Sequence, residues 1–514
     1  MPKEGDVLKK RWFGVLFRRR AYVVVLLLLQ FAILLVMTLS SVRYFHFMYW
    51  VLGAVSFFVA LFIINKKEKP AYKLTWIILI LLLPIFGGLF YLIFRFQSSL
   101  RLFRKRQSSI EELTKPLLQR QDECLVGLGE EFGNLPRYLQ NFAGLPVYGN
   151  TRTQYLTPGE KKLTCLLEQL RKAERYIFLE YFIVAGGFMW DSILGVLKER
   201  VAAGVEVRLL YDDMGCLLLL PSNYPKTIEK LGIQCRVFSP FRPVLSSLQN
   251  NRDHRKIAVI DGKIAFTGGI NLADEYINAA ERLGHWKDAA LMMEGDAAWS
   301  FTVMFLEMWS LAGATAEDFS RFLPTPVEHS EAVQGYVQPY CDSPLDSDNV
   351  GEHVYLQIIS NARHYLYINS PYLIVDDSML SALMLAAKGG VDVCICTPRR
   401  GDKWMVHMTT RSYYRDLIQS GIRIYEYSPG FMHSKTFVSD DHIATVGTTN
   451  LDFRSLYLHF ECGACLYNTS TVADIKEDYL QTLTQCKQMT MEDCHNAWPV
   501  RLFQEVLRVF APLM

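Results

Sequence analysis

The distribution of apolar and polar positions divides the chain near residue 107. Before that point three stretches, 21–39, 47–64 and 74–94, carry no Asp, Glu, Lys or Arg. Each approaches the roughly 20 residues that a helix needs to cross a bilayer. A core helix of a soluble domain keeps charge on one face, and these stretches have none on any face. The pattern therefore predicts a membrane segment over residues 1–106 with two or three transmembrane helices. Pro84 and Gly87-Gly88 interrupt the third stretch, where a kink or a re-entrant turn is expected. No short apolar core ends at a small-x-small site, so a cleaved signal peptide is not expected.

Beyond residue 107 the pattern becomes that of alternating strands and helices, and it repeats. Tyr176-Ile-Phe-Leu-Glu180 matches Tyr365-Leu-Tyr-Ile-Asn369, and Ala203-Gly-Val-Glu-Val207 matches Gly389-Gly-Val-Asp-Val393. Gly232-Ile233 with Ser239-Pro240 matches Gly421-Ile422 with Ser428-Pro429. The matches keep their order, as expected of a duplicated unit. Residues 107–150 read as a linker, 151–330 as a first half and 331–514 as a second. Each half reads as strand, helix, strand, helix, strand and a final motif strand. That alternation predicts an α/β fold of two pseudo-symmetric halves, with mostly parallel sheets flanked by helices. The first half carries an extra loop around Phe241 to Arg252, expected to line a substrate entrance.

Both halves lead into H-x-K-x4-D. The copies are His254, Lys256, Asp261 and His433, Lys435, Asp440. Gly268, Gly269 and Asn271 follow the first; Gly447, Thr448 and Asn450 follow the second. Ile257-Ala-Val-Ile-Asp261 and Thr436-Phe-Val-Ser-Asp440 read as strands. In a strand, residues two apart share a face, so each His and its Lys can reach one phosphate. Two imidazoles suit phosphodiester chemistry, one attacking phosphorus while the other protonates the leaving oxygen. Lys256, Lys435, Asn271 and Asn450 would donate to phosphate oxygens, with Gly269 and Thr448 beside them. Asp261 and Asp440 are expected to orient or charge-balance a His or Lys across the site. Glu275 and Glu461, downstream of each motif, are candidate partners of the histidines, set against the plain reading of surface carboxylates.

Charge narrows the partners. Residues 1–106 hold 17 Lys/Arg against 3 Asp/Glu, so with +2 for the whole chain the remainder is net −12. Basic clusters at Lys9-Lys10-Arg11, Arg18-Arg19-Arg20, Lys66-Lys67 and Arg104-Lys105-Arg106 favour anionic headgroups. They leave the catalytic side of the membrane open. An acidic catalytic portion argues against nucleic acid as a partner. The eleven cysteines are scattered. Cys462 and Cys465 form a C-x2-C without a second pair at zinc spacing, and read as a structural thiol pair rather than a metal site. No Walker loop or dinucleotide fingerprint occurs, so no cofactor and no metal is expected.

The run Asn251-Arg-Asp-His254-Arg-Lys256 through Gly268-Gly-Ile-Asn-Leu-Ala-Asp-Glu-Tyr276 resembles the first motif of bacterial cardiolipin synthases of the phospholipase D superfamily. Ser428-Pro-Gly-Phe-Met-His433-Ser-Lys435 with Val446-Gly-Thr-Thr-Asn450-Leu-Asp452-Phe-Arg454-Ser455 resembles the second. Pro70-Ala-Tyr-Lys-Leu-Thr-Trp76 to Gly88 and Tyr91 is similar to that family's N-terminal hairpin, with the first apolar stretch an addition. Two departures stand out. Trp286-Lys-Asp288-Ala-Ala290 lacks the family's His, and His459 precedes Phe460-Glu461 where Asn is usual. The resemblance implies transfer between two phosphatidylglycerols to give cardiolipin and glycerol, in a multi-pass protein of the bacterial cell membrane. Under it His254 is the expected nucleophile and His433 the acid/base. A phospholipase D-type hydrolase, a transferase to another alcohol, a nuclease and an inactive membrane scaffold are the alternatives. Homo-oligomerisation is left open.

Overall fold

A computed structural model of the chain describes residues 43–67, 69–82, 87–88, 91, 98–241, 247–313, 317–327, 333–346 and 348–513. It divides into two compact units, Met1–Leu102 with Phe241–Asn250 and Leu513, and Phe103–Pro240 with Asn251–Pro512 and Met514.

In the first unit α1 (Arg43–Ile64) is followed by α2 (Pro70–Leu82). Val59, Ile63, Ile80 and Tyr91 form a small buried cluster against Trp76 and Ile77. Lys73 Nζ donates to the Ile64 carbonyl at 2.9 Å and ties the helices at their turn. Among the described residues no helix is long and apolar enough to cross a membrane. The expected spans are therefore not recovered as such. Stretch 21–39 and part of 74–94 lie outside the described residues.

The second unit holds both motifs. Its first sheet comprises β1 (Thr151–Leu156), β2 (Tyr176–Tyr181), β3 (Glu206–Asp212), β4 (Gln234–Phe238), β5 (Lys256–Ile260), β6 (Ile264–Gly268) and β7 (Ala290–Gly295), in the order β1-β7-β6-β5-β2-β3-β4. The second comprises β8 (Tyr336–Asp342), β9 (Tyr365–Asn369), β10 (Asp392–Pro398), β11 (Arg423–Tyr427), β12 (Thr436–Ser439), β13 (Ile443–Gly447), β14 (His459–Tyr467) and β15 (Cys486–Gln488), in the order β8-β14-β13-β12-β9-β10-β11-β15. Seven strands follow the same path in each sheet, so the duplication seen in short matches is one of topology.

The sheets are mixed rather than mostly parallel. β2-β3-β4 and β9-β10-β11 are parallel, while the motif strands β5 and β12 pair antiparallel on both sides. The cause is local. Asp261-Gly262 and Asp440-Asp441 take positive φ and close tight hairpins, which join only antiparallel neighbours. Helices α3 (Gly159–Arg171), α4 (Phe188–Ala202) and α5 (Ala298–Ala312) cover the first sheet; α6 (Val350–Asn361), α7 (Asp377–Lys388), α8 (Trp404–Ser412) and α9 (Thr471–Leu483) belong to the second half. α5 is buried almost all round, which explains its lack of a polar stripe. α9 reaches back to the first sheet, where Tyr155 donates to Asp478 at 3.1 Å.

Residues 107–150 are no linker. They are largely helical and built into the second half. Gln338 Nε2 donates to the Leu145 carbonyl at 2.9 Å, and Tyr148 pairs with Val337. The loop expected at an entrance, 241–252, is described only in part. Arg252-Asp253 at its end pairs with β14.

Candidate active site

Each motif sits at the open end of a hairpin. In the first half β5 and β6 diverge with Lys256 and Gly268 at that end, and the turn at Asp261 closes the other. Five residues at about 3.3 Å each separate Asp261 from Lys256 by roughly 16 Å. Asp261 accordingly does not reach the histidines. Its carboxylate accepts from the backbone N–H groups of Glu174, Arg175 and Tyr176 at 2.8 Å each. Asp440 accepts from Arg363, His364 and Tyr365 at 2.7, 2.9 and 2.9 Å. The expected orienting role of both aspartates is corrected. They lock each motif hairpin to the strand beside it, and the repeat preserves them because the turn needs them.

The histidines are held from the opposite half. Arg252-Asp253 runs parallel to His459-Phe460, and His254 N donates to the Phe460 carbonyl at 3.0 Å. Gly430-Phe-Met432 runs parallel to His285-Trp-Lys287, and His433 N donates to the Lys287 carbonyl at 2.7 Å. The next residue along each partner strand is acidic. Glu461 lies 2.9 and 3.0 Å from His254 Nδ1, and Asp288 lies 2.7 Å from His433 Nδ1. A carboxylate can only accept, so Nδ1 carries the proton in both rings. Nε2 is thereby left for chemistry, a lone pair in the neutral ring and a proton donor in the charged one.

Glu461 was a candidate from the sequence; Asp288 was not singled out. The signal was present, because Trp286-Lys-Asp288-Ala and His459-Phe-Glu461-Cys occupy equivalent places in the repeat. Glu275 plays no such part and pairs with exposed Arg282 at 3.4 Å.

The glycine and threonine after each motif serve these carboxylates. Gly269 N donates to the Ala289 carbonyl at 3.0 Å. A Cβ on Gly269 would stand 2.1 Å from Asp288 Oδ1, so only glycine admits the carboxylate. Thr448, its counterpart, donates its hydroxyl to Glu461. Asn271 is also committed: Oδ1 accepts from Ile183 N at 3.0 Å and Nδ2 donates to Tyr276 at 2.9 Å. Gly269, Thr448 and Asn271 are corrected from substrate-binding residues to supports. Asn450 is buried with Oδ1 free of a protein partner and remains a candidate for substrate.

Lys256 Nζ donates to the His254 carbonyl at 2.5 Å. Lys435 Nζ donates to the His433 carbonyl and lies 2.9 Å from His433 Nδ1. Burial, only partly offset by Glu461 and other groups nearby, lowers the Lys256 ammonium to about 8. Burial also lowers Lys435 to about 7, against the opposing pull of Asp288. His254 is held well below the usual histidine range by burial, then by the positive charges of Lys256 and Lys435. His433 is lowered to about 4 by burial and Lys435, while Asp288 pulls it toward protonation. Phe182 packs edge-on to His254 at 5.1 Å, and Tyr276 and Trp286 flank His433 at 5.5 and 5.3 Å. Arg255, between Arg252-Asp253 and β5, pairs with Glu180 at 2.7 Å and lines a cavity of about 360 Å³ with Glu307 and Cys341. None of the four motif His and Lys side chains lines that cavity.

His459 is a third histidine beside the first dyad, with its ring 5.5 Å from that of His254, its Nδ1 3.8 Å from Glu461 Oε1 and neither nitrogen hydrogen-bonded. His254, His459 and Glu461 offer ligand atoms within 4.8 Å of one another and could hold a cation. Cys462 and Cys465, three apart on β14, face opposite sides and are free thiols, so the expected thiol pair is not formed.

The comparisons with known proteins agree with this geometry. The family described as cardiolipin synthase, PLD-like domain, matches residues 166–309 and 355–483, and a phospholipase D-nuclease N-terminal family matches 54–95. A cardiolipin synthase of Geobacillus sp. is 35% identical over 463 residues, 89% of this chain and 92% of that one. An uncharacterized protein of Streptococcus mutans is 44% identical over 458 residues, 88% and 99% of the two chains. Among solved structures, a phosphatidylserine synthase of Haemophilus influenzae superimposes with a TM-score of 0.57 at 15% identity, covering 74% of this chain and all of that one, a likeness of fold. The duplicated sheets, the two motifs at one site and matches over most of the chain lead to one conclusion: the protein belongs to the cardiolipin synthase family of the phospholipase D superfamily.

Proposed function

We propose that the chain transfers a phosphatidyl group from one phosphatidylglycerol to another, giving cardiolipin and glycerol through a phosphatidyl-histidine. The observation that carries this reading is the crossed pair of dyads, His254 with Glu461 and His433 with Asp288, each built from both halves. His254 Nε2 attacks phosphorus. A P–N bond forms, the bond to the glycerol oxygen breaks, and His433 supplies that oxygen with a proton. The glycerol hydroxyl of a second phosphatidylglycerol then gives its proton to His433 and attacks phosphorus. The P–N bond breaks and His254 is restored. Lys256 and Lys435 face the phosphate as charge grows, with Asn450 beside them. Burial lowers both rings, and Lys256 and Lys435 lower His254 further, while Asp288 partly opposes the lowering at His433; the easier protonation of His433 supports the order of roles.

The N-terminal unit is the membrane-associating part of this reading. Trp50, Phe57, Phe58 and Phe62 on α1 and Leu81 and Leu82 on α2 stand exposed, a density of outward apolar groups suited to lipid. The net negative charge of the remaining chain disfavours nucleic acid as the phosphodiester. The test is the purified full chain in phosphatidylglycerol vesicles, with lipid products resolved by mass. Cardiolipin with equimolar glycerol supports the reading; phosphatidic acid alone would replace it with hydrolysis.

A further inference from the structure

The C-terminal helix α10 (Trp498–Val509) packs against α8 and buries Leu507 and Gln504, leaving much of its apolar surface outside. Gln504 is buried and donates toward the Met408 carbonyl, while Trp498, Leu502 and Val506 point to solvent at successive turns. Trp498 is 75% exposed and Leu502 57%. The same patch continues onto the start of α8, where Trp404 is 65% exposed and stacks on Phe503 at 5.5 Å. A solvated helix would bury its apolar stripe and expose its glutamine. A patch of this kind marks a surface built to meet apolar material.

Its edge identifies the material. Arg399, Arg400 and Lys403 immediately precede Trp404, and Arg501 lies on α10 between Trp498 and Leu502; all four are exposed. Lys403 also stands close enough to the motif residues for its charge to act on both His254 and Asp452. Cationic side chains around exposed indole and aliphatic groups fit an anionic lipid interface, where Trp sits at headgroup depth.

We propose that α10 and the first turn of α8 form a lipid-docking surface near the motif residues, which seats the catalytic unit on anionic bilayer independently of the N-terminal unit. The proposal rests on a lipid substrate, as put forward above. Docking would present headgroups to Lys403 and the motif lysines without extracting the acyl chains from the leaflet.

The test uses the full chain in vesicles of phosphatidylglycerol brominated on its acyl chains, compared with unbrominated vesicles. Trp404→Phe and Trp498→Phe, both conservative, should each remove part of the bromine-dependent quenching of tryptophan fluorescence. Trp404→Ser with Leu502→Ser should raise the interfacial KM in mixed micelles about ten-fold, as expected for lost apolar burial, and leave kcat unchanged. All three variants should turn over monomeric short-chain phosphatidylglycerol at the wild-type rate. Quenching unchanged in both Phe variants, or an unchanged interfacial KM, overturns the docking surface. Self-association of the wild type that Leu502→Ser abolishes, without bromine quenching, would assign the patch to a second copy and also overturn it. Failure of the wild type to make cardiolipin from either substrate would instead overturn the functional reading.

Discussion

Replacing Asp288 by Asn tests the dyad that the sequence did not single out. The side chain keeps its size and a carbonyl oxygen for His433 Nδ1, now 2.7 Å from Oδ2, but loses its charge. A hydrogen bond to a charged group contributes about 1.5–3 kcal/mol, and that contribution is realised when His433 carries the proton for the departing glycerol. At about 1.4 kcal/mol per decade, glycerol release should slow roughly 10- to 150-fold. The pH profile should move as well. Asp288 opposes the lowering of His433 by burial and Lys435, so its removal lowers that ring further. Activity that needs protonated His433 is lost as pH rises through its pKa, so the alkaline limb should shift toward acid. Quench-flow measurement of glycerol release from phosphatidylglycerol in mixed micelles across pH reads both effects. Glycerol release within about three-fold of wild type, on an unmoved limb, would show that Asp288 only fills space and would refute the reasoning.

Other expectations follow from the same geometry. Gly269→Ala places a Cβ 2.1 Å from Asp288 Oδ1. Displacing that carboxylate by about 1 Å should cost on the order of 100-fold in kcat with Tm little changed, measurable by initial rates and calorimetry. Lys435→Met should be inactive yet more stable at low pH. The Lys435 ammonium is lowered from 10.5 to about 7 in the fold, so the unfolded chain binds the extra proton between those values. The penalty is therefore full below pH 7 and fades as pH rises to 10.5, and the Tm gain of the variant should fade with it. Chelators should leave turnover intact, because a metal on His254 would occupy the ring that attacks phosphorus; loss restored by one divalent ion would make His254, His459 and Glu461 a resident metal site.

What the sequence reveals here depends on whether a constraint is local. His254 with Lys256 and His433 with Lys435 were legible because duplication marked the same spacing twice, although His254, His433 and Lys435 lie just before β5 and β12 rather than on them. The same duplication misled at Asp261 and Asp440. A repeat preserves whatever both copies need, and a hairpin turn capped by a carboxylate is needed as much as a nucleophile. Asp288 was missed because it serves the other half's histidine, 145 residues away, and only its equivalence to Glu461 in the repeat marks it. Asn271 looked like a phosphate donor because its amide could donate; its bond to Ile183, 88 residues earlier, is a tertiary fact. The parallel-sheet expectation erred at β5 and β12 for a reason visible in advance, since Asp261-Gly262 is too short a turn for a crossover. Residues 107–150 lacked strand alternation and so read as a linker, although Leu135 and Leu139 are completely buried against the second half.

The central claim is that two halves build one site in which His254 receives the phosphatidyl group and His433 moves the protons. Its most direct test is mass mapping of the full chain, denatured at mildly alkaline pH during turnover of phosphatidylglycerol, a condition that preserves a P–N bond. The account predicts a phosphatidyl adduct on His254, formed with release of glycerol and discharged to cardiolipin by added phosphatidylglycerol. An adduct on His433, or turnover to cardiolipin with neither histidine modified, would contradict it.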